Sequence, residues 1–340
     1  MNKLSRFRSL MHRSTLVLVT LCAAGWAYET MRESMDRKAH PASAPLIDVG
    51  GHAMYLSCTG SGSPTVVLES GLGESSAYWG LIAPQVARST RVCAYDRAGR
   101  GWSESAAGPR DASTIAMDLH TLLDRAHVAG PYVLVGHSSG AQYVRVFAGQ
   151  YPDLVAGVVL LDAQPAEAFT RLPNYPSFYW MYRRVSMLFP ALARVGIARL
   201  IYHAASFGDL PEAAQEIERF NFSSTRQAQS QKDEFAELPT ALAQAHAVQS
   251  LGARPLYVVT AMRDAQPGWI AAQDDLAALS TNSAHLVLPD ITHMALIEEK
   301  GGAEASSRAI RDVVDSVRHG GASLRNVEGA SRVCKIGGAA

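Results

Sequence analysis

Tyr132-Val133-Leu134-Val135-Gly136-His137-Ser138-Ser139-Gly140 is the stretch on which the fold turns. Four apolar residues run into a Gly-x-Ser-x-Gly pentapeptide, and a helix-patterned segment to Gln150 follows at once. In that context the serine must sit on a strained strand-to-helix turn with its hydroxyl above a sheet, while the flanking glycines let neighbouring backbone pass close by. Upstream, Ile115, Leu119, Leu122, Leu123 and Ala126 recur at helical spacing behind a start signal of Asp111 and Ser113, and Pro131 resets the chain for the strand.

Working outward, residues 53–58, 65–69 and 91–95 read as strands, the first two separated by a Gly/Ser turn. Residues 155–161, 256–260 and 285–288 are continuous apolar runs, as expected for parallel strands covered on both faces. Strands alternating with helices predict a doubly wound α/β architecture. The alternation stops over residues 163–250, which are rich in helix formers and aromatics such as Phe178, Tyr179, Trp180 and Tyr182; this predicts a helical cap inserted into the sheet domain. The catalytic domain is then 45–162 plus 251–320, and the Gly/Ala/Ser-rich residues 321–340 are expected to be a disordered tail.

A serine hydroxyl is a weak nucleophile and needs a base, which in this architecture follows it in the order Ser, Asp or Glu, His. His285 falls inside a strand and His319 closes the last helix, leaving His293 in the loop Pro289-Asp290-Ile291-Thr292-His293-Met294 after the final strand. That loop lies at the carboxyl edge of the sheet, where open α/β sheets place ligands. Asp264, after the strand Leu256-Tyr257-Val258-Val259-Thr260, is the expected carboxylate for holding the imidazole tautomer. Asp162 and Asp290 are competitors, read as turn or capping residues. Backbone N–H groups of Ser139 and of Leu72, in Ser70-Gly71-Leu72-Gly73, are expected to serve a developing oxyanion. A dinucleotide reading of Gly71-Leu72-Gly73 is weak, since Ser76 replaces the third glycine.

Lys+Arg and Asp+Glu both total 31 over 340 residues, but residues 1–40 carry seven basic and three acidic side chains. The remaining body is faintly acidic, which argues against nucleic acid as a partner. Lys3, Arg6, Arg8 and Arg13 precede an uncharged apolar run over residues 15–28 and then a polar linker to about residue 44. Residues 1–44 therefore predict a signal peptide or a membrane anchor. The 14-residue run is signal-peptide sized, and Gly25 and Ala27 offer a cleavage position. Either way the catalytic body is expected outside the inner membrane, in the cell envelope or secreted. Cys22, Cys58, Cys93 and Cys334 show neither CxxC nor metal-ligand spacing.

With the pentapeptide, Ser70-Gly71-Leu72-Gly73, Tyr95-Asp96-Arg97-Ala98-Gly99-Arg100-Gly101-Trp102-Ser103, Asp264 and His293 in that order, the chain resembles the α/β-hydrolase fold superfamily over about residues 45–320. It looks like a serine esterase- or lipase-like member with a helical cap. The resemblance implies an eight-stranded, mostly parallel sheet, no cofactor, and neighbouring strands for Cys58 and Cys93, hence a disulfide in an exported protein. Many relatives carry His-Gly where this chain has Ser70-Gly71. Relatives that open epoxides or remove halide use Asp at the elbow, so Ser138 argues for a different chemistry: attack on a carbonyl, with a small-molecule carboxylic ester as first choice of substrate. An amidase or peptidase using the same triad, and a non-catalytic ligand-binding protein on the same fold, are the alternatives.

Overall fold

Residues 3–324 are described by the computed structural model of the chain. Its centre is an eight-stranded sheet in the order β1-β2-β4-β3-β5-β6-β7-β8. The strands are β1 (Leu46–Asp48), β2 (Ala53–Thr59), β3 (Thr65–Glu69), β4 (Val92–Tyr95), β5 (Tyr132–His137), β6 (Val155–Leu161), β7 (Leu256–Ala261) and β8 (Ser283–Leu288). β1 and β2 pair antiparallel, β2 joins β4 antiparallel, and every pairing from β4 through β3 to β8 is parallel.

A sheet covered on both faces explains the unbroken apolar runs. Val67, Leu134, Val158 and Val258 point to one face, into a core with Leu119 and Phe147. Their sequence neighbours Val66, Val133, Val135, Val159 and Val259 point to the other, against Trp79, Ile310 and Val313. Successive residues of a strand face opposite sides, so both must be apolar when both sides are dry.

The helices are α1 (Lys3–Ala39), α2 (Ala83–Val86), α3 (Ala112–Arg125), α4 (Gly140–Gln150), α5 (Ala168–Arg171), α6 (Tyr175–Ser186), α7 (Phe189–Arg194), α8 (Ile197–Tyr202), α9 (Glu212–Ser223), α10 (Thr225–Ala247), α11 (Trp269–Ala277), α12 (Ala295–Glu298) and α13 (Lys300–Arg318). The start signal before α3 is an N-cap: Asp111 Oδ1 accepts the Thr114 N–H at 2.8 Å. α5 to α10 fill the interval between β6 and β7 where the sequence loses its alternation.

Cys58 and Cys93 are register partners on β2 and β4 and are joined by a disulfide, with an S–S distance of 2.06 Å. Cys22 is a free, exposed thiol, and Cys334 lies outside the described residues. Leu324, at the start of the expected disordered tail, is buried and donates its N–H to Asn282 Oδ1 at 3.0 Å. The rest of that tail, residues 325–340, lies outside the described residues.

Candidate active site

β5 ends at His137, and Ser138 turns the chain with φ of +54°, a left-handed conformation that non-glycine residues rarely adopt. Three backbone hydrogen bonds impose it. The Ser138 N–H donates to the Leu161 carbonyl at 3.1 Å, and the Ser138 carbonyl accepts from Ala141 at 3.2 Å and Gln164 at 3.1 Å. Gly140 is required by close approach, since a Cβ there would lie 2.6 Å from the Glu69 carbonyl oxygen and 2.8 Å from that of Ser70. The elbow is thereby pressed against the end of β3.

His293 follows β8, and its Nδ1 lies 2.6 Å from Oδ2 of Asp162. The carboxylate partner of His293 is therefore Asp162 and not the expected Asp264. Asp162 directly follows β6, the strand beside β5, and its own φ is +42°. Its second oxygen, Oδ1, accepts the Ala261 N–H at 3.1 Å and the Trp269 Nε1–H at 2.8 Å. Those two donors hold the carboxylate with Oδ2 towards the imidazole. Asp264 lies three residues beyond the end of β7, is exposed, and makes no hydrogen bond or ion pair among the described residues; it lines the same cavity instead. Asp290 is exposed as well.

The cavity holds about 550 Å³. Ser138, His293, Asp162 and Asp264 line it together with apolar and aromatic side chains, among them Leu72, Tyr175, Phe178, Phe235 and Leu238. Leu72 sits in a tight turn in which Gly73 takes φ of +85°. Among the described residues, no acceptor is found for the N–H of Leu72 or of Ser139, the two expected oxyanion donors. Both residues line the cavity with Ser138.

Two buried charge clusters brace this turn, and neither is anticipated by the sequence analysis. In the first, Glu74 Oε1 lies 2.8 Å from His137 Nδ1, and Glu74 Oε2 accepts the Gly71 N–H at 2.5 Å. The other ring nitrogen of His137 lies 3.3 Å from the His293 carbonyl oxygen. Burial pushes the Glu74 carboxyl up, but the His137 imidazole and the Gly71 N–H outweigh it and leave the group below its ordinary range. Burial pushes His137 down and Glu74 outweighs that too, raising it.

The second cluster centres on Arg97, which donates to the carbonyls of Ser70 at 2.6 Å and Gly71 at 2.8 Å. Arg97 also pairs with Glu69 at 2.5 Å and, from Nη2, with Glu234 of α10 at 2.9 Å, while Arg100 meets the same Glu234 at 2.8 Å. Burial raises Glu234, but Arg100 and Arg97 dominate and hold it down at about 2. Glu69 is pushed up to about 7 by burial, against the pull of Arg97 and Tyr95. Asp96 fixes the neighbouring turn, accepting the N–H of Ser76 at 2.7 Å and of Trp102 at 3.0 Å. Arg97 and Arg100 stand in the stretch Tyr95 to Ser103, but nothing local to it marks Glu69 or Glu234 as their partners.

An α/β-hydrolase fold family model matches residues 64–300. An uncharacterized protein of Schizosaccharomyces pombe is 36% identical over 123 residues, 36% of this chain and 22% of that protein. The uncharacterized Bacillus subtilis protein YqjL is 34% identical over 117 residues, 34% of this chain and 46% of its own length. The chain thus spans less than half of either relative. Among solved structures, a thermophilic esterase from Thermogutta terrifontis superposes with a TM-score of 0.60 at 21% identity, covering 81% of this chain and 99% of that one. Cfl2 from Burkholderia cenocepacia gives a TM-score of 0.58 at 21% identity, covering 79% and 94%. At such identities the structural likeness speaks for the fold alone.

Proposed function

Because the chain belongs to the α/β-hydrolase fold family, we propose that it is a serine hydrolase cleaving a carboxylic ester of a small to medium apolar substrate through an acyl-enzyme on Ser138. The observation that carries this is the meeting of Ser138, on its left-handed turn, with an Asp162-bonded His293 in one cavity walled by aromatic and aliphatic side chains. A hydroxyl needs a base, the base needs one tautomer, and a carboxylate on Nδ1 leaves Nε2 as the proton acceptor.

In this mechanism Ser138 Oγ attacks the ester carbonyl while His293 takes its proton. Asp162 stabilises the imidazolium, and the N–H groups of Leu72 and Ser139 receive the oxyanion. His293 returns the proton to the departing alcohol, leaving an ester on Ser138. Water, deprotonated by His293, then releases the acid and restores the serine. α5 to α10 act as a cap whose Tyr175, Phe178 and Phe235 receive the apolar part of the substrate.

The test is hydrolysis of a p-nitrophenyl ester chain-length series by the full-length protein in mild detergent. Ser138→Ala is expected to lower turnover on the order of a million-fold. Turnover unchanged by that substitution would refute the nucleophile; matched ester and amide substrates turned over at equal rates would refute the ester preference.

A further inference from the structure

α1 is docked on the cap along one stripe. Gly25, Glu29, Arg32, Glu33 and Asp36 recur at the helical period and are the least exposed positions of its second half. Glu29 is 1% exposed and takes two hydrogen bonds from Arg199 of α8, at 2.8 and 2.6 Å. Arg199 also meets Asp36 at 2.8 Å, and Glu33 accepts the Thr225 N–H at 2.7 Å. A Cβ at Gly25 would lie 2.5 Å from the Val195 carbonyl oxygen, so helix and cap touch backbone to backbone.

The docking changes what the helix presents outwards. Glu29 interrupts the apolar run in sequence, leaving fifteen uncharged residues, 14–28, which span about 22 Å of helix. With Glu29 buried against Arg199, the exposed surface carries no charge over residues 14–31, up to Arg32, which pairs with Asp36 of the same helix and stays partly exposed. Eighteen helical residues span about 27 Å, close to the roughly 30 Å thickness of a bilayer's hydrocarbon core. Val195 and Arg199 touch α1 at Gly25 and Glu29, inside that length, so a bilayer spanned by α1 must also meet α7 and α8.

The cap surface there is built for such contact. Of the twelve exposed large apolar side chains outside α1 among the described residues, nine fall between positions 178 and 201, including Trp180, Met187, Leu188, Leu200 and Ile201. Residues 168–208 hold five arginines and no acidic residue; Arg171 is paired with Asp275 and Arg199 with Glu29 and Asp36, leaving Arg183, Arg184 and Arg194 beside the apolar side chains, the combination that favours an anionic lipid surface. Phe178 belongs both to this face and to the cavity lining.

We propose that α1 is retained as a membrane-spanning helix, that the arginine-bearing apolar face of α6 to α8 rests in the adjoining lipid surface, and that the cavity takes its ester from the bilayer. The last part rests on the functional reading above; the docking does not.

The test uses the full-length chain with Cys22→Ser and Cys334→Ser, labelled with an environment-sensitive dye at Leu200→Cys or, as reference, at the exposed Met117→Cys of α3. It is reconstituted into vesicles of phosphatidylcholine with phosphatidylglycerol. The dye at position 200 should shift to the blue and be quenched by lipid-borne spin labels, while the dye at 117 should do neither. Identical behaviour at both positions overturns the docking, as does membrane-fraction protein whose first residue lies beyond Ala27. A Leu200→Asp/Ile201→Asp variant should lose at least tenfold on a long-chain ester carried in the vesicles and nothing on soluble p-nitrophenyl acetate. An unchanged rate on the vesicle ester overturns delivery from lipid. Wild-type protein that cleaves neither ester overturns the functional reading, and the dye still decides the docking.

Discussion

Asp162 and Asp264 offer the same carboxylate from neighbouring strand ends, and one residue's surroundings separate them. Asp162 is buried and held by Ala261 and Trp269, whereas Asp264 stands exposed beyond β7. Asp162→Asn should therefore lower kcat/KM about ten-thousand-fold by removing the partner that orients His293, while Asp264→Asn should leave it nearly unchanged. The reverse ranking would return the role to Asp264. Order and edge position in the sequence admit both residues, because each follows an apolar strand. Only the hydrogen bond of 2.6 Å to His293 distinguishes them.

Elements meet at the buried Glu74–His137 pair, which ties the turn after β3 to the end of β5 and, through the His293 carbonyl, to the loop after β8. His137 is raised on folding, so its contribution is complete below its unfolded value near 6.5 and fades as pH climbs through the raised one. Glu74 is lowered on folding, so its contribution holds above its unfolded value near 4.3 and fades as pH falls through the depressed one. The melting temperature of the wild type relative to Glu74→Gln/His137→Asn should thus be highest between about pH 4.5 and 6.5 and decline on the alkaline side. A difference that stays flat from pH 5 to 9 would show that the pair is neutral. His137 in the sequence is only the variable position of a pentapeptide, and Glu74 only a charge in a loop; their pairing across 63 residues is invisible to local pattern.

For the whole molecule, the Cys58–Cys93 bridge closes a 35-residue separation between two strands of opposite direction. Cys58→Ser/Cys93→Ser should lower the free energy of unfolding by about 4 kcal/mol in the chain-entropy account of loop closure. An unmoved denaturant midpoint would count against the bridge as a stabilising link. The parallel sheet, the elbow at Ser138 and the position of His293 after the last strand were legible in the sequence, because periodicity and turn chemistry act over a few residues and leave local marks. The partner of His293, the braces on the Leu72 turn and the seating of α1 on α8 were decided only by tertiary structure. Each joins side chains distant along the chain, and burial sets which of several equivalent charges finds a partner.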